Sequence, residues 1–410
     1  MRLKLYSRSG KVEGKIAIGG SKSETNRLLL LQAFCSNIVL ENESDSDDSK
    51  VLKKALAESN PVIDVHHAGT AMRFLTAFFA MQPDEIVVLT GFERMKQRPV
   101  SILVDALKSL GAKIEYLENE GFPPLKITGT VLTGNSVTVN AEVSSQYISA
   151  LILIGGFLKE GLTIFLEGKI TSLPYINMSL SLLKQAGIKA VFNTNKIVIH
   201  PAEKSNNIKK IKIESDWSSA SYFYSLAALS QSCALELSTF KKDSLQGDAA
   251  IASIYKNFGV ETIFRNGSVF LYKKQGSKPE IKNLVLDLKE TPDVAQTLAV
   301  TCFGLGIACE LTGLHTLKIK ETDRLSALKR ELEKLGASVE ITNDCLILSV
   351  SGKINDTVEI DTYNDHRMAM AFAPLALKTT LIINNAEVVS KSYPCFWDDL
   401  KKTSVFTEEI

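Results

Sequence analysis

The chain has 410 residues, 45% of them hydrophobic and 23% charged, the composition of a globular protein, and at roughly 150 residues per domain it is long enough for about two domains. Forty-seven Lys and Arg against 46 Asp and Glu leave a formal net charge of +1. That balance excludes a dedicated nucleic-acid binder, whose footprint is a basic excess, so any anion site must come from cations gathered locally.

The opening MRLKLYSRSGKVEGKI has no apolar core and no small-residue cleavage site, and is not read as a signal peptide. Residues 14–23, from Gly14 to Ser23, look like a phosphate loop in the wrong register. Gly20 and Ser21 stand between Gly19 and Lys22, where a Walker A sequence has its Lys directly after the second Gly. The segment reads instead as a Gly-Gly turn that presents Lys22 and Ser23 to an anion. From Ser21 a polar cluster opens an unusually apolar helix, SKSETNRLLLLQAF. The pattern returns at His67 (HAGTAMRFLTAFFA), Ser144 (SSQYISALILIGGF), Asp216 (DWSSASYFYSLAAL), Thr291 (TPDVAQTLAVTCFGLG) and Asn364 (NDHRMAMAFAPLAL). None of the apolar runs, Ala150–Leu158 among them, reaches the roughly 20 residues of a membrane span.

Between these helices lie four similar segments, each the end of an amphipathic helix, a Gly at the C-cap, and two alternating strands around a polar turn. Their glycines are Gly111, Gly187, Gly259 and Gly336. Both series recur at about 75 residues, the mark of one supersecondary unit copied along the chain. The interval from Ser21 to His67 is much shorter, so the first unit is incomplete in sequence order. A helix apolar on most faces is a core helix, and six of them imply two groups of three, each wrapped by strands and outer helices. The polar stretch Pro201–Lys210 (PAEKSNNIKK) interrupts the pattern and is the expected linker. If distant chain completes the first unit, residues 1–20 join about 213–410 as a discontinuous domain around a continuous one, 21–212. Two crossing strands invite hinge closure.

The polar residues of the six helices stand at their N-terminal ends, which favour anions. Capping accounts equally well for Asp216 and Ser218. It does not account for Lys22, Arg27, Gln146 or Arg367, and cations there oppose the helix dipole unless they face a shared ligand. The amphipathic helices add Arg98 just before Pro99, Lys320, Glu321, Asp323 and Arg324 at the head of another, and Lys391 ahead of the last. A lone Lys or Arg is ordinarily a solvated surface charge, but recurrence at three equivalent helix entries points to a site. The histidines (His66, His67, His200, His315, His366) have no metal-ligand spacing. The six cysteines (Cys35, Cys233, Cys302, Cys309, Cys345, Cys395) show neither C-x-x-C nor Cys/His spacing, and read as free thiols of a cytoplasmic protein.

Taken together, the motifs resemble the 5-enolpyruvylshikimate-3-phosphate synthase family. The matching segments run in the family's order: GGSKSETNR (19–27), HAGTAMRF (67–74), RMKQRP (94–99), VSSQY (143–147), SLPYI (172–176), SSASYF (218–223), QGD (246–248), PDV (292–294), KETDR (320–324), NDHRMAM (364–370) and SKSYP (390–394). The resemblance implies an α/β (α+β) fold: a two-domain inside-out α/β barrel of six βαβαββ repeats, three per domain, with an interdomain cleft. It implies transfer of the enolpyruvyl (carboxyvinyl) group of phosphoenolpyruvate to the 5-hydroxyl of shikimate 3-phosphate, releasing phosphate, in the shikimate pathway to chorismate and aromatic amino acids.

By the same resemblance, the phosphoenolpyruvate site would be Lys22, Gly69, Arg98, Gln146, Arg324, Arg367 and Lys391. The shikimate 3-phosphate site would be Lys22, Ser23, Arg27, Ser144, Ser145, Gln146, Ser172, Tyr175, Asp293 and Lys320. Asp293 would be the base at the accepting hydroxyl. Glu321 and Lys22 would be the two candidates for delivering the proton to the methylene carbon, with Lys391 and His366 in support. No metal or organic cofactor is expected, because phosphate is itself the leaving group, and the expected state is a monomer with no nucleic-acid or membrane partner. The chain departs from the family pattern at His67 and Phe74, where NAGTAMRP is common, at Thr316 for Asn, and at Leu173 for Lys before Pro174. A related UDP-N-acetylglucosamine enolpyruvyl transferase would carry a reactive Cys in the loop at about 90–99, and GFERMKQRPV has none. A non-catalytic repeat binding protein is the reading from another class, and it gives no reason for Lys22, Asp293 and Glu321 to coexist with the cations.

Overall fold

The computed structural model describes residues 1–58, 60–203, 205–279, 281–350 and 352–410. The chain divides into two compact units, one Gly20–Ile213, the other Met1–Gly19 with Glu214–Ile410.

In the continuous unit, three helices carry the polar-then-apolar pattern, Lys22–Phe34, Gly69–Ala80 and Ser145–Gly155. They pack on one another, and Ser145–Gly155 buries nearly its whole circumference, as a helix without a polar face must. Two four-stranded sheets share one plan. In the first, Val62–Asp64 runs parallel to Ile86–Thr90 with Val62 opposite Val88, and the antiparallel strands Leu125–Thr128 and Lys113–Tyr116 follow. In the second, Ser136–Asn140 runs parallel to Leu162–Glu167, then Lys196–Ile199 and Ala190–Asn193 follow. The third sheet is only a parallel pair, Ile38–Glu41 with Lys209–Lys212. The last residues of the expected linker, Lys209 and Lys210, are therefore strand, while Lys204 lies outside the described residues. Ile211 is the buried member of that strand.

The discontinuous unit repeats the plan three times. Lys11–Ile16 runs parallel to Ser232–Ser238, Asn283–Asp287 to Ala308–Thr312, and Val358–Ile360 to Leu381–Asn384. Each pair is extended by two antiparallel strands. In the last sheet one of those strands is Arg2–Ser7, which sits between Leu381–Asn384 and Val405–Glu409. The N-terminal residues thus complete two sheets of this unit. Its core helices are Trp217–Leu229, Ala295–Leu305 and His366–Phe372, the last continued by a 3-10 turn, Ala373–Leu377. Trp217, fully buried, donates its indole N–H to Glu214 at 2.8 Å.

The repeat glycines have a common local cause. At Gly336 (φ 98°) the amide bonds Glu333 O at 3.0 Å and the next amide, Ala337, bonds Leu332 O at 3.0 Å, the paired closure of a Schellman motif. Gly111, Gly187 and Gly259 close in the same way. The helix ahead of Gly259 is shorter than the pattern implies: a single α turn, Ile251–Ile254, between 3-10 turns Gly247–Ala250 and Tyr255–Phe258. Among the described residues no helix is long and apolar enough to cross a membrane.

Candidate active site

In the discontinuous unit, three chain segments bring charged groups together at helix starts. Asp293 lies in the 3-10 turn Pro292–Val294 that leads into a core helix. Arg324 is the first residue of Arg324–Lys334, and Arg367 lies in the first turn of His366–Phe372. Asp365 caps that helix, its carboxylate accepting from the Arg367 amide at 2.9 Å.

Arg324 is 1% exposed, and carboxylates surround its guanidinium. Nε donates to Asp365 at 2.7 Å, Nη1 to Asp293 at 2.9 Å, and Nη2 to Glu321 at 2.8 Å. Arg367 reaches the other oxygen of Asp293 at 3.0 Å and its backbone carbonyl at 3.1 Å. Lys320 Nζ stands 3.7 Å from Asp293 Oδ1. Burial works against ionisation of Asp293, but Arg367, Lys320 and Arg324 outweigh it and hold its carboxyl well below the usual range. Arg324 is held cationic, since the charges of Asp365, Glu321 and Asp293 overcome its burial. Charged groups this deep persist only when paired and hydrogen-bonded.

Behind Asp293 lies Asp248, 3% exposed, accepting from Ser218 Oγ and from Thr291 Oγ1 at 2.5 Å. Burial and then the negative charge of Asp293 push its carboxyl up. Ser218 also accepts from Arg367 Nη2 at 3.3 Å. His366 is 2% exposed, with Nδ1 3.9 Å from Asp365. Lys391 ends the 3-10 turn Ala386–Lys391 and donates to Asn364 O at 2.7 Å.

The continuous unit holds a second set. Lys22 opens the helix Lys22–Phe34, with Nζ 3.4 Å from Asp48. His67 Nε2 is 3.7 Å from the other oxygen of that carboxylate. Arg27, 3% exposed, donates to Ser179 Oγ at 2.8 Å, Ser149 Oγ at 2.9 Å and Ser23 O at 2.9 Å. Its guanidinium lies 5.7 Å from the ring centres of both Phe74 and Tyr175. Burial lowers it to about 10, against the pull of Tyr175 and Glu24.

Arg98, 8% exposed, is pressed on Gly69. A Cβ built on that glycine would stand 2.5 Å from Arg98 Nη1, so the guanidinium lies directly against the glycine and would have to move to admit a larger residue. No carboxylate pairs with this guanidinium among the described residues. Gln146 Nε2 donates to Thr70 Oγ1 at 3.5 Å, and its backbone amide donates to the cap Ser144 at 3.3 Å. Ser145 is buried. Ser172 takes a left-handed backbone (φ 53°), a strained setting for a non-glycine residue.

The sequence-derived residues therefore fall into a tight charged cluster (Asp293, Lys320, Glu321, Arg324, Arg367) and a second group (Gly69 with Arg98, Ser144 with Gln146, Ser23 and Arg27 with Tyr175, Lys22). Sequence reasoning missed Asp365, Asp248 and Asp48. The position of Asp365 before His366-Arg367 was a cap signal, and Asp248 stood in the quoted QGD. Asp48 carried no signal beyond its place in the acidic first turn of Asp47–Ala57. No group of three or more His, Cys, Asp or Glu among the described residues is placed to hold a metal ion.

Residues 34–400 match the family model described as EPSP synthase (3-phosphoshikimate 1-carboxyvinyltransferase). The chain belongs to that family. It is 46% identical over 402 residues to the 3-phosphoshikimate 1-carboxyvinyltransferase of Bacteroides fragilis (strain YCH46), covering 97% of each chain. To the enzyme of the same name from Vibrio atlanticus it is 35% identical over 424 residues, covering 96% of this chain and 98% of the relative. The fold is that of EPSP synthase from Acinetobacter baumannii (TM-score 0.79, 20% identity, 100% of both chains). It is also that of the enolpyruvyl transferase NikO from Streptomyces tendae (TM-score 0.75, 14% identity, 99% and 98% covered). Members of this enzyme family are transferases of aromatic amino-acid biosynthesis, and the mixed α/β fold with six small sheets is theirs.

Proposed function

We propose that the protein transfers the enolpyruvyl group of phosphoenolpyruvate to the 5-hydroxyl of shikimate 3-phosphate, releasing phosphate, as a monomer in the cytoplasm. Similarity over nearly the whole chain supports the reaction. The observation that carries it is the convergence of Arg324, Arg367 and Lys320 on the carboxylate of Asp293.

In that reading the phosphoenolpyruvate set is Lys22, Gly69, Arg98, Gln146, Arg324, Arg367 and Lys391. Arg98 is pre-built for an anion, being a nearly buried cation with no carboxylate of its own among the described residues, and guanidinium forks suit phosphate and carboxylate oxygens. The shikimate 3-phosphate set adds Ser23, Arg27, Ser144, Ser145, Ser172, Tyr175, Asp293 and Lys320.

Chemistry starts when a proton is added to the methylene carbon of phosphoenolpyruvate, with Glu321 or Lys22 as donor and Lys391 and His366 in support. The neighbouring carbon becomes cationic, the acceptor hydroxyl oxygen bonds to it, and Asp293 takes the hydroxyl proton. The tetrahedral adduct then loses its C–O bond to phosphate, a proton leaves the methyl carbon, and the vinyl ether remains. Held by three cations, Asp293 is a poor base. An anionic substrate competing for Arg324 and Arg367 raises its basicity, so the base is activated as the ligand arrives.

The test is acceptor dependence. Phosphate is expected from phosphoenolpyruvate only when shikimate 3-phosphate is present. Activity that requires UDP-N-acetylglucosamine instead, or none with either acceptor, overturns the assignment. Light scattering of the active protein is expected to return the mass of one chain.

A further inference from the structure

Beside Arg98, two side chains converge on one backbone atom. The carbonyl of the next residue, Pro99, accepts from Tyr147 Oη at 2.5 Å and from Arg73 Nη2 at 2.8 Å. Both donors are buried, 2% and 3% exposed, and they come from different core helices, Ser145–Gly155 and Gly69–Ala80. Arg73 also donates to Gly69 O at 3.2 Å, and its guanidinium lies 6.0 Å from the Tyr147 ring centre. Tyr147 directly follows Gln146, and Arg73 stands one helical turn after Gly69. The three segments that supply Gly69, Arg98 and Gln146 thus meet at one carbonyl oxygen.

This junction matters because the contact it supports is close. The Arg98 guanidinium occupies the space a Cβ at residue 69 would need, and the position of the adjoining Pro99 backbone helps to set where that guanidinium lies. Sites of this kind lose function to displacements of an ångström or less.

We infer that Tyr147 and Arg73 are positioning residues that aim the Arg98 guanidinium at the phosphoenolpyruvate anion by clamping the Pro99 carbonyl. The inference rests on the enolpyruvyl-transfer reading. A buried tyrosine hydroxyl needs a partner in any case, and that need alone predicts a loss of stability with unchanged kinetics. The clamp predicts a split in kinetic constants.

Tyr147→Phe removes the hydroxyl and keeps the ring. The KM for phosphoenolpyruvate is expected to rise roughly five- to tenfold, with kcat within about twofold, as for loss of one well-placed hydrogen bond. The KM for shikimate 3-phosphate stays where it was. Because Tyr147 acts through Arg98, adding Tyr147→Phe to Arg98→Lys is expected to raise the phosphoenolpyruvate KM no further than Arg98→Lys alone. An unchanged KM in Tyr147→Phe, with or without a lower melting temperature, overturns the inference, and so do additive effects in the double variant. Wild-type enzyme assayed alongside separates the two failures. If it releases no phosphate in response to shikimate 3-phosphate, the enolpyruvyl reading falls and the clamp's role with it. If it is active and Tyr147→Phe behaves identically, only the clamp falls.

Discussion

Asp293 shows how a single carboxylate can be both structural and reactive. Its oxygens bridge Arg324 and Arg367, so its loss leaves two nearly buried guanidinium groups short of a partner, although Asp365 and Glu321 still hold Arg324. Asp293→Ala is therefore expected to abolish turnover while circular dichroism remains native; near-wild-type kcat would remove the residue from its role as base. A different buried charge reports on pH. Lys273, 4% exposed, donates to the carbonyls of Ala228 and Ser230, and burial, then Lys378, lowers its ammonium from the ordinary 10.5 to about 8. Between those values the unfolded chain binds more protons than the folded one, so the lysine's contribution to stability rises with pH, by about 1.4 kcal/mol per pKa unit. Cys233, pushed up to about 12 by burial, opposes this trend, so the difference between wild type and Lys273→Met is the informative quantity. Wild type is expected to gain stability relative to the variant from pH 8 to 10 in urea titrations, and parallel curves would contradict the assignment. Arg367 was legible because a cation at the entrance to an apolar helix needs a reason to be there, Arg324 because cations recur at the entries of the amphipathic helices, and Asp293 through the family resemblance. Asp48 was not, since an acidic residue in a first turn already has one in the helix dipole.

The repeat announces itself through its helix ends. Four times the chain leaves a helix through a glycine at positive φ whose amide, and the amide after it, close back on the last turn. Any Cβ at Gly336 would be strained at φ 98° and would lie 3.1 Å from Lys353 O. Gly336→Ala is expected to cost on the order of 1–2 kcal/mol, read as a lower urea midpoint at unchanged slope; a neutral effect would mean that the motif does not hold the helix end. These signals are local, which is why the period and the hairpins could be read from sequence. Strand pairing is different. Nothing in IKKIKI (208–213) says that its partner is Ile38–Glu41, because a parallel pair joined by so much intervening chain leaves no mark near either strand. The same holds for the 3-10 turns before Gly259, where the helical period of the sequence was followed only in part.

At the scale of the whole molecule, a net charge of +1 coexists with concentrated local charge, because cations such as Lys22, Arg324 and Arg367 are matched by acids placed beside them. The two units are threaded through each other in sequence: Met1–Gly19 belongs with Glu214–Ile410. Arg2–Ser7 is an interior strand, paired on both edges, and buries Leu3 and Leu5. Deleting residues 2–7 strips both neighbours of their ladder and opens the core beneath them, so the truncated protein is expected to aggregate or to show a lost or sharply lowered unfolding transition. A truncated chain with wild-type melting would show that the sheet does not depend on it. This threading also imposes a timetable on the growing polypeptide. Arg2–Ser7 leaves the ribosome long before its partners Leu381–Asn384 and Val405–Glu409; at 5–20 residues per second that is a delay on the order of tens of seconds. Until then this strand, with Leu3 and Leu5 to bury, has no native partner, while every strand of the Gly20–Ile213 unit has already emerged. Arg2–Ser7 is thus a segment in need of protection during the protein's own synthesis.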